Sequence, residues 1–550
     1  MAGAGWALLG LLLLPPAVVS PARAGPQPPA AIFDDLREVR RTGFTLQGRD
    51  LPSAPVPHRR SVAAPTPAVG TVRQWLGLDD VKGDFYRKDF TLRASGEHIE
   101  VWVADDLAFP AGDCRGAAAT VVTDAQVRSF VHEFDSNIYP RETTAFSRPP
   151  DRDGSNATLA GDFSGAGGKT VTLVDNVRDD NYANFPASTP YVGGFFSAQL
   201  NELFDRNVMT IDAFDWAHRS GARPPSDATA DLCTSRPARP RMYEGTFAHE
   251  WQHLLQYYTD PAEVSWINEG LSDYAQTLVG YVSGTATVFH SGADSHLICY
   301  QGFGTVRTGY NTTPQGCGGP QNSLNLWDEG GSGAVLADYG AAYEFMLYLR
   351  DRFGAGVLSR LHRDGERHGL AGVAAALRGV DLYGVVHDFQ SMTLLDKIVE
   401  GGRLTGISRS RATAAGLRST VNLANPAAYD TPGAAPNGAD YVRLRDRTGR
   451  FLTGRDLTSV VFTGGKRAGV PAYAGGRVLP GLGSVPVSRW NVRLAGIRGH
   501  DARLVSLADF AQLRDYPKIV AIVAYDDPTE RMADYAPYTL TVNGSAQPGS

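Results

Sequence analysis

Apolar and polar residues alternate along 85–92 and 98–103, the two-residue period of a half-buried strand. At 125–134 the period lengthens: Val127, Phe130, Val131 and Phe134 fall three and four apart, as on one face of a helix. The run KTVTLV at 169–174 reads as a buried strand ending at Asp175, and 208–211 as another, with the start of a helix at 201–207 between them. From 247 to about 399 the helical period dominates, interrupted by a loop-like stretch at 283–334. Beyond 401, Gly, Val and turn residues take over, and 518–524 and 538–542 read as strong strands. This order predicts an α+β chain. A β-rich part opens a main region over 71–400, helices fill the rest of it, and a C-terminal β-domain covers 401–550.

The first seventy residues differ in texture. An apolar run at 6–14 followed by Ala22-Arg23-Ala24 has the form of a secretory signal over 1–24, cleaved near Ala24, although no Lys or Arg precedes the run. The run is too short for a comfortable membrane span, and Pro15 and Pro16 interrupt it. Residues 25–70, rich in Pro, Ala and Arg, read as a linker or pro-segment. The expectation is an exported, secreted protein with no stable membrane span.

The 550 residues, 43% of them hydrophobic, suffice for several packed domains. Acidic residues outnumber basic ones, 58 to 52, giving a net charge of −6 and no broad basic footprint for nucleic acid. The four cysteines, Cys114, Cys233, Cys299 and Cys317, allow two disulfides in three connectivities, with Cys299 and Cys317 the local pair across a Gly-rich loop. No CxxC spacing is present, which argues against a thiolate zinc site.

The most informative stretch is TFAHEWQHLLQ at 246–256. His249 and His253 are four apart, so a helix projects both from one face toward a shared metal ion. Glu250 follows the first His directly, beside the position where a water would bind, and there it can act as general base. In a chain of this composition HExxH arises by chance on the order of 0.01 times. A catalytic zinc commonly takes three protein ligands plus water, and WINEGLSDYA at 266–275 offers Glu269 as the third. Asp273, one helical turn on, is placed to accept an N–H from a ligating His. The competing reading of Glu269 and Asp273 is a solvated acidic face, against which Trp266, Ile267 and Leu271 argue for burial.

HExxH followed by this NEGLSDY segment resembles the gluzincin group of zinc metallopeptidases, and is most similar to the hyicolysin-type neutral metallopeptidases of bacteria. The resemblance is strongest over 247–275. It implies a zincin-like catalytic domain, zinc held by His249, His253 and Glu269, Glu250 as general base, and protein or peptide substrates. Metzincins fit worse, because Gln256 and Thr259 stand where they carry Gly and His. The Gly-x-Met-Glu-Asn motif of gluzincin aminopeptidases is missing, and 194–202 is not its equivalent, so an endopeptidase is expected ahead of an aminopeptidase. A third reading is a secreted binding or adhesion protein that keeps zinc structurally. The helix expected around 338–349 offers Tyr339 as a donor to the tetrahedral intermediate, with Tyr343 second, although both also read as core aromatics. The acidic stretches 150–156 and 175–181 suggest Ca²⁺ sites or, alternatively, solvated turns.

Overall fold

The structure, a computed structural model, describes residues 44–46, 49–50 and 65–548, apart from 291, 312–313, 328–333, 426–432, 465–489 and 532–534. The expected signal at 1–24 and most of the segment 25–70 lie outside the described residues.

Eight strands form the first sheet: β1 (Thr45–Leu46), β2 (Arg49–Asp50), β3 (Val72–Asp79), β4 (Asp84–Ser95), β5 (Ile99–Ala104), β6 (Thr170–Asp175), β7 (Gly194–Phe196) and β8 (Asn207–Asp212). Their order is β2-β1-β4-β5-β6-β8-β7, and β3 pairs with β4. The outer strands β3, β4 and β5 run antiparallel, whereas β5, β6 and β8 are parallel. Every residue of those three parallel strands is buried, as expected where both faces of a sheet are covered. The crossover from β5 to β6 carries α1 (Asp124–Glu133), started by a capping box between Thr123 and Gln126, and α2 (Tyr139–Ala145). At the far end β7 lies antiparallel on β8 and terminates the sheet.

One face of this sheet closes over Trp75, Trp102, Phe163 and Phe204. The other is covered by α1 and by α3 (Met242–Thr259), with Phe130, Phe134, Phe247 and Trp251 at the contact, and behind them pack α4 (Ser265–Leu278), α5 (Ser295–Tyr300), α6 (Val335–Phe353) and α7 (Leu382–Leu395). Two glycines set how closely these helices approach. A Cβ on Gly270 of α4 would stand 3.1 Å from Ala342 of α6, and one on Gly340 of α6 would strike the His296 carbonyl of α5. Among its described residues the loop-like stretch expected at 283–334 contains one short helix, α5, tied by a Cys299–Cys317 disulfide; a second disulfide joins Cys114 to Cys233.

The C-terminal strands are β9 (Leu404–Thr405), β10 (Ala439–Arg443), β11 (Val460–Gly464), β12 (Trp490–Arg498), β13 (Asp501–Ser506), β14 (Lys518–Tyr525), β15 (Tyr538–Val542) and β16 (Ser545–Ala546). They make a five-stranded sheet, β10-β14-β12-β13-β9, and a three-stranded one, β11-β15-β16. Tyr441, Val520 and Ile522 of the larger sheet pack on Leu394 and Leu395 of α7. Its opposite face, with Val442, Ile519 and Ala521, packs on Tyr538 and Leu540 of the smaller sheet. No described helix is long and apolar enough to cross a membrane.

Candidate metal centre

Helix α3 carries HExxH with its apolar stripe, Phe247, Trp251, Leu254 and Leu255, fully buried against the sheet side of the core. That anchoring fixes the opposite face, from which His249 and His253 project. Helix α4 turns back across it after a five-residue connection at 260–264 and delivers Glu269. The three donor atoms form a triangle: His249 Nε2 to His253 Nε2 3.1 Å, and each Nε2 to Glu269 Oε2 3.2 Å. A tetrahedral zinc with bonds of about 2.0–2.1 Å sets its ligands about 3.3 Å apart, so the spacing suits that ion.

The far side of each imidazole is occupied too. His249 Nδ1 lies 3.0 Å from Asp273 Oδ1, and His253 Nδ1 lies 2.9 Å from Asn268 Oδ1 and 3.1 Å from Ser272 Oγ. Acceptors at Nδ1 place the ring protons there and leave each Nε2 lone pair facing the triangle. The electrostatics run the same way. Burial opposes a charge on His249, but hydrogen bonds to Asp273 and Glu269 outweigh it and hold the imidazole well above its usual range. Burial likewise opposes the charge on His253, and the Glu269 carboxylate beside it pushes it up to about 9. Burial raises Glu269, yet the two imidazoles bring it down to about 2. The pocket thus calls for positive charge between its donors, and two imidazoles with one carboxylate are a donor set suited to a divalent cation.

Glu250, buried beside this triangle, is held from the sheet: the backbone N–H of Phe196 in β7 donates to its Oε2 at 3.0 Å. Tyr339 is buried and stacks on His296, with ring centroids 4.7 Å apart and planes 29° from parallel. Tyr343 is buried further into the core, where its hydroxyl shares a hydrogen bond with Thr277 of α4. The two acidic stretches are built as hydrogen-bonded turns. Asp153 accepts from the Ser155 N–H, Asp179 from the N–H groups of Tyr182 and Val192, and Asp175 pairs with Lys88. Among the described residues, neither stretch supplies a convergent group of three His, Cys, Asp or Glu side chains.

Four contributors were not read from the sequence. Asn268 and Ser272 are four apart and share a face of α4, the signal that could have paired them at the His253 ring. The Phe196 N–H sits in a strand of three residues, too short for a period. His296 reaches Asp273 Oδ2 at 2.8 Å from α5, and only the fold brings it there.

Over 267 residues, 47% of its length, the chain is 24% identical to the neutral metalloprotease ShpI of Staphylococcus hyicus, and the match covers 46% of that protein. The chain thus spans about half the length of the curated relative it matches. No family model matches the chain.

Proposed function

We propose that the protein is a secreted zinc-dependent endopeptidase with a zincin-like catalytic region, its zinc held by His249, His253 and Glu269. The observation that carries this reading is the triangle of two Nε2 atoms and one Oε2, 3.1–3.2 Å on each side, with Glu250 fixed beside it. Similarity to a neutral metalloprotease supports it independently. So does the pair of disulfides, which suits an oxidising compartment.

Zinc at this position supplies Lewis-acid polarisation of the scissile carbonyl and a more acidic water. Everything else is the work of the chain's own side chains. Glu250 takes the proton of the attacking water and returns it to the leaving amine, while the Phe196 N–H keeps the carboxylate turned toward the reacting atoms. Asp273 and Asn268 hold the imidazoles in one tautomer. Tyr339, stacked on His296, is the donor we assign to the developing oxyanion, with His296 beside it. Strand β7, which ends the sheet and bonds Glu250, is the edge we assign to an extended peptide substrate. Glu202, the acidic residue after β7, is taken by Arg152 and Tyr257, which leaves it unsuited to gripping a substrate's amino terminus.

The test compares casein digestion by the mature protein and by Glu250→Ala, each with and without 1,10-phenanthroline. Digestion by the wild type alone, abolished by the chelator, is the expected result. Digestion that survives Glu250→Ala overturns the mechanism.

A further inference from the structure

Beyond the catalytic triangle, Asp260, Glu263 and His368 are the other group of described residues whose ligand atoms converge, all within 4.8 Å of one another. Asp260 Oδ2 and His368 Nδ1 are 3.0 Å apart, close to the edge of a metal tetrahedron. Asp260 is buried, while His368 is partly open to solvent and gives an ion a way in.

Two independent features call for a cation here. First, Glu263 Oε2 is shut from solvent and meets no donor, although Oε1 accepts from the N–H groups of Val264 and Gly369, both at 2.8 Å. Second, the cluster sits at the C-terminal end of α3. The exposed carbonyls of an 18-residue helix make that end negative, and no basic residue occupies its last turn. Two carboxylates at such a place repel both each other and the helix end. Arg367, next to His368, points instead to Asp364 at 2.8 Å.

We propose that Asp260, Glu263 and His368 bind a second divalent cation of the zinc class, with solvent completing the coordination. One imidazole nitrogen with two carboxylate oxygens favours zinc over calcium or magnesium, which take oxygen ligands. Asp260 and Glu263 lie in the short connection between α3 and α4, the helices that carry the histidine pair and Glu269. His368 comes from the chain just before Gly369, whose N–H bonds Glu263. An ion here clamps that connection and so fixes the distance between the two helices.

The test is metal content. The full-length chain is stripped with a chelator, reloaded with zinc, freed of excess and analysed by elemental mass spectrometry. The wild type is expected to hold two zinc ions per chain, Glu263→Gln/His368→Gln one, and His249→Ala one. Zinc is further expected to raise the melting temperature of His249→Ala but not of His249→Ala/Glu263→Gln/His368→Gln. One ion per chain in the wild type that persists in Glu263→Gln/His368→Gln overturns the second site, as does a His249→Ala protein whose melting does not respond to zinc. One ion that persists in His249→Ala and disappears in Glu263→Gln/His368→Gln supports this site and removes the proposed catalytic one instead.

Discussion

Asp273 serves two imidazoles at once, with Oδ1 on His249 and Oδ2 on His296. Burial raises its carboxyl, but the charge of His296 and the hydrogen bonds from both rings outweigh this and hold it far below the usual carboxylate range. Asp273→Asn keeps the shape and removes the charge. It is expected to lower zinc affinity by about 10–100-fold, read by competition with a chromophoric chelator; unchanged affinity sinks the supporting role. His296→Gln severs the other branch and is expected to lower kcat while zinc content stays the same. At this scale i, i+4 spacing put His249 with His253 and Glu269 with Asp273 on common helix faces, while Glu250 was legible only as the residue after the first His of HExxH. His296 had no such signal. It reaches the site through a turn and a short disulfide-tied helix, and nothing within a window of sequence relates it to Asp273.

Among the elements, the three-residue strand β7 does the most with the least sequence. The longer strands β4, β5, β6 and β8 were readable from alternation or from continuous apolar runs. A three-residue strand has no measurable period, and its place at the end of the sheet follows from pairing with β8. Phe196→Pro deletes the N–H that donates to Glu250 and lies in a terminal strand, where proline is tolerated. Loss of one hydrogen bond to a charged group, worth about 1.5–3 kcal/mol, predicts a kcat lower by at least tenfold with zinc still bound. Phe196→Ala, which keeps the N–H, is the control. Equal activity of the two variants in a peptide-cleavage assay refutes the orienting role.

Across the whole molecule, strand patterning at 518–524 and 538–542 anticipated the C-terminal sheets but not their cover. Alternation shows that a face is buried; it does not say against what, and here α7 takes one face of the larger sheet. Near that seam lies Glu344 of α6, fully buried, accepting from Gln301 at 2.9 Å and Thr393 at 2.8 Å. Burial pushes it from 4.5 up to about 7. A carboxyl raised on folding keeps its proton in the native state after the unfolded chain has released its own. Native stability therefore falls as pH rises from about 4.5 to about 7, and is fully reduced above that window. Glu344→Gln is expected to flatten this decline, so that its melting temperature relative to wild type climbs between pH 5 and 7.5. Parallel curves over that range refute the assignment.

Glu530 extends the influence of the C-terminal region to α4: it accepts from the Trp266 indole at 3.3 Å and from the Leu370 N–H at 3.1 Å. The contact spans 264 residues, and that separation is also an interval of time. At about 5–20 residues per second, the ribosome adds Glu530 roughly 13–50 s after Trp266. For nearly all of that interval the residues of α3 and α4 have been synthesised, while Glu530, whose carboxylate holds Trp266, has not, and β14 of the sheet that covers α7 is added only at its end. The helices that carry the proposed zinc ligands are thus made early and secured late.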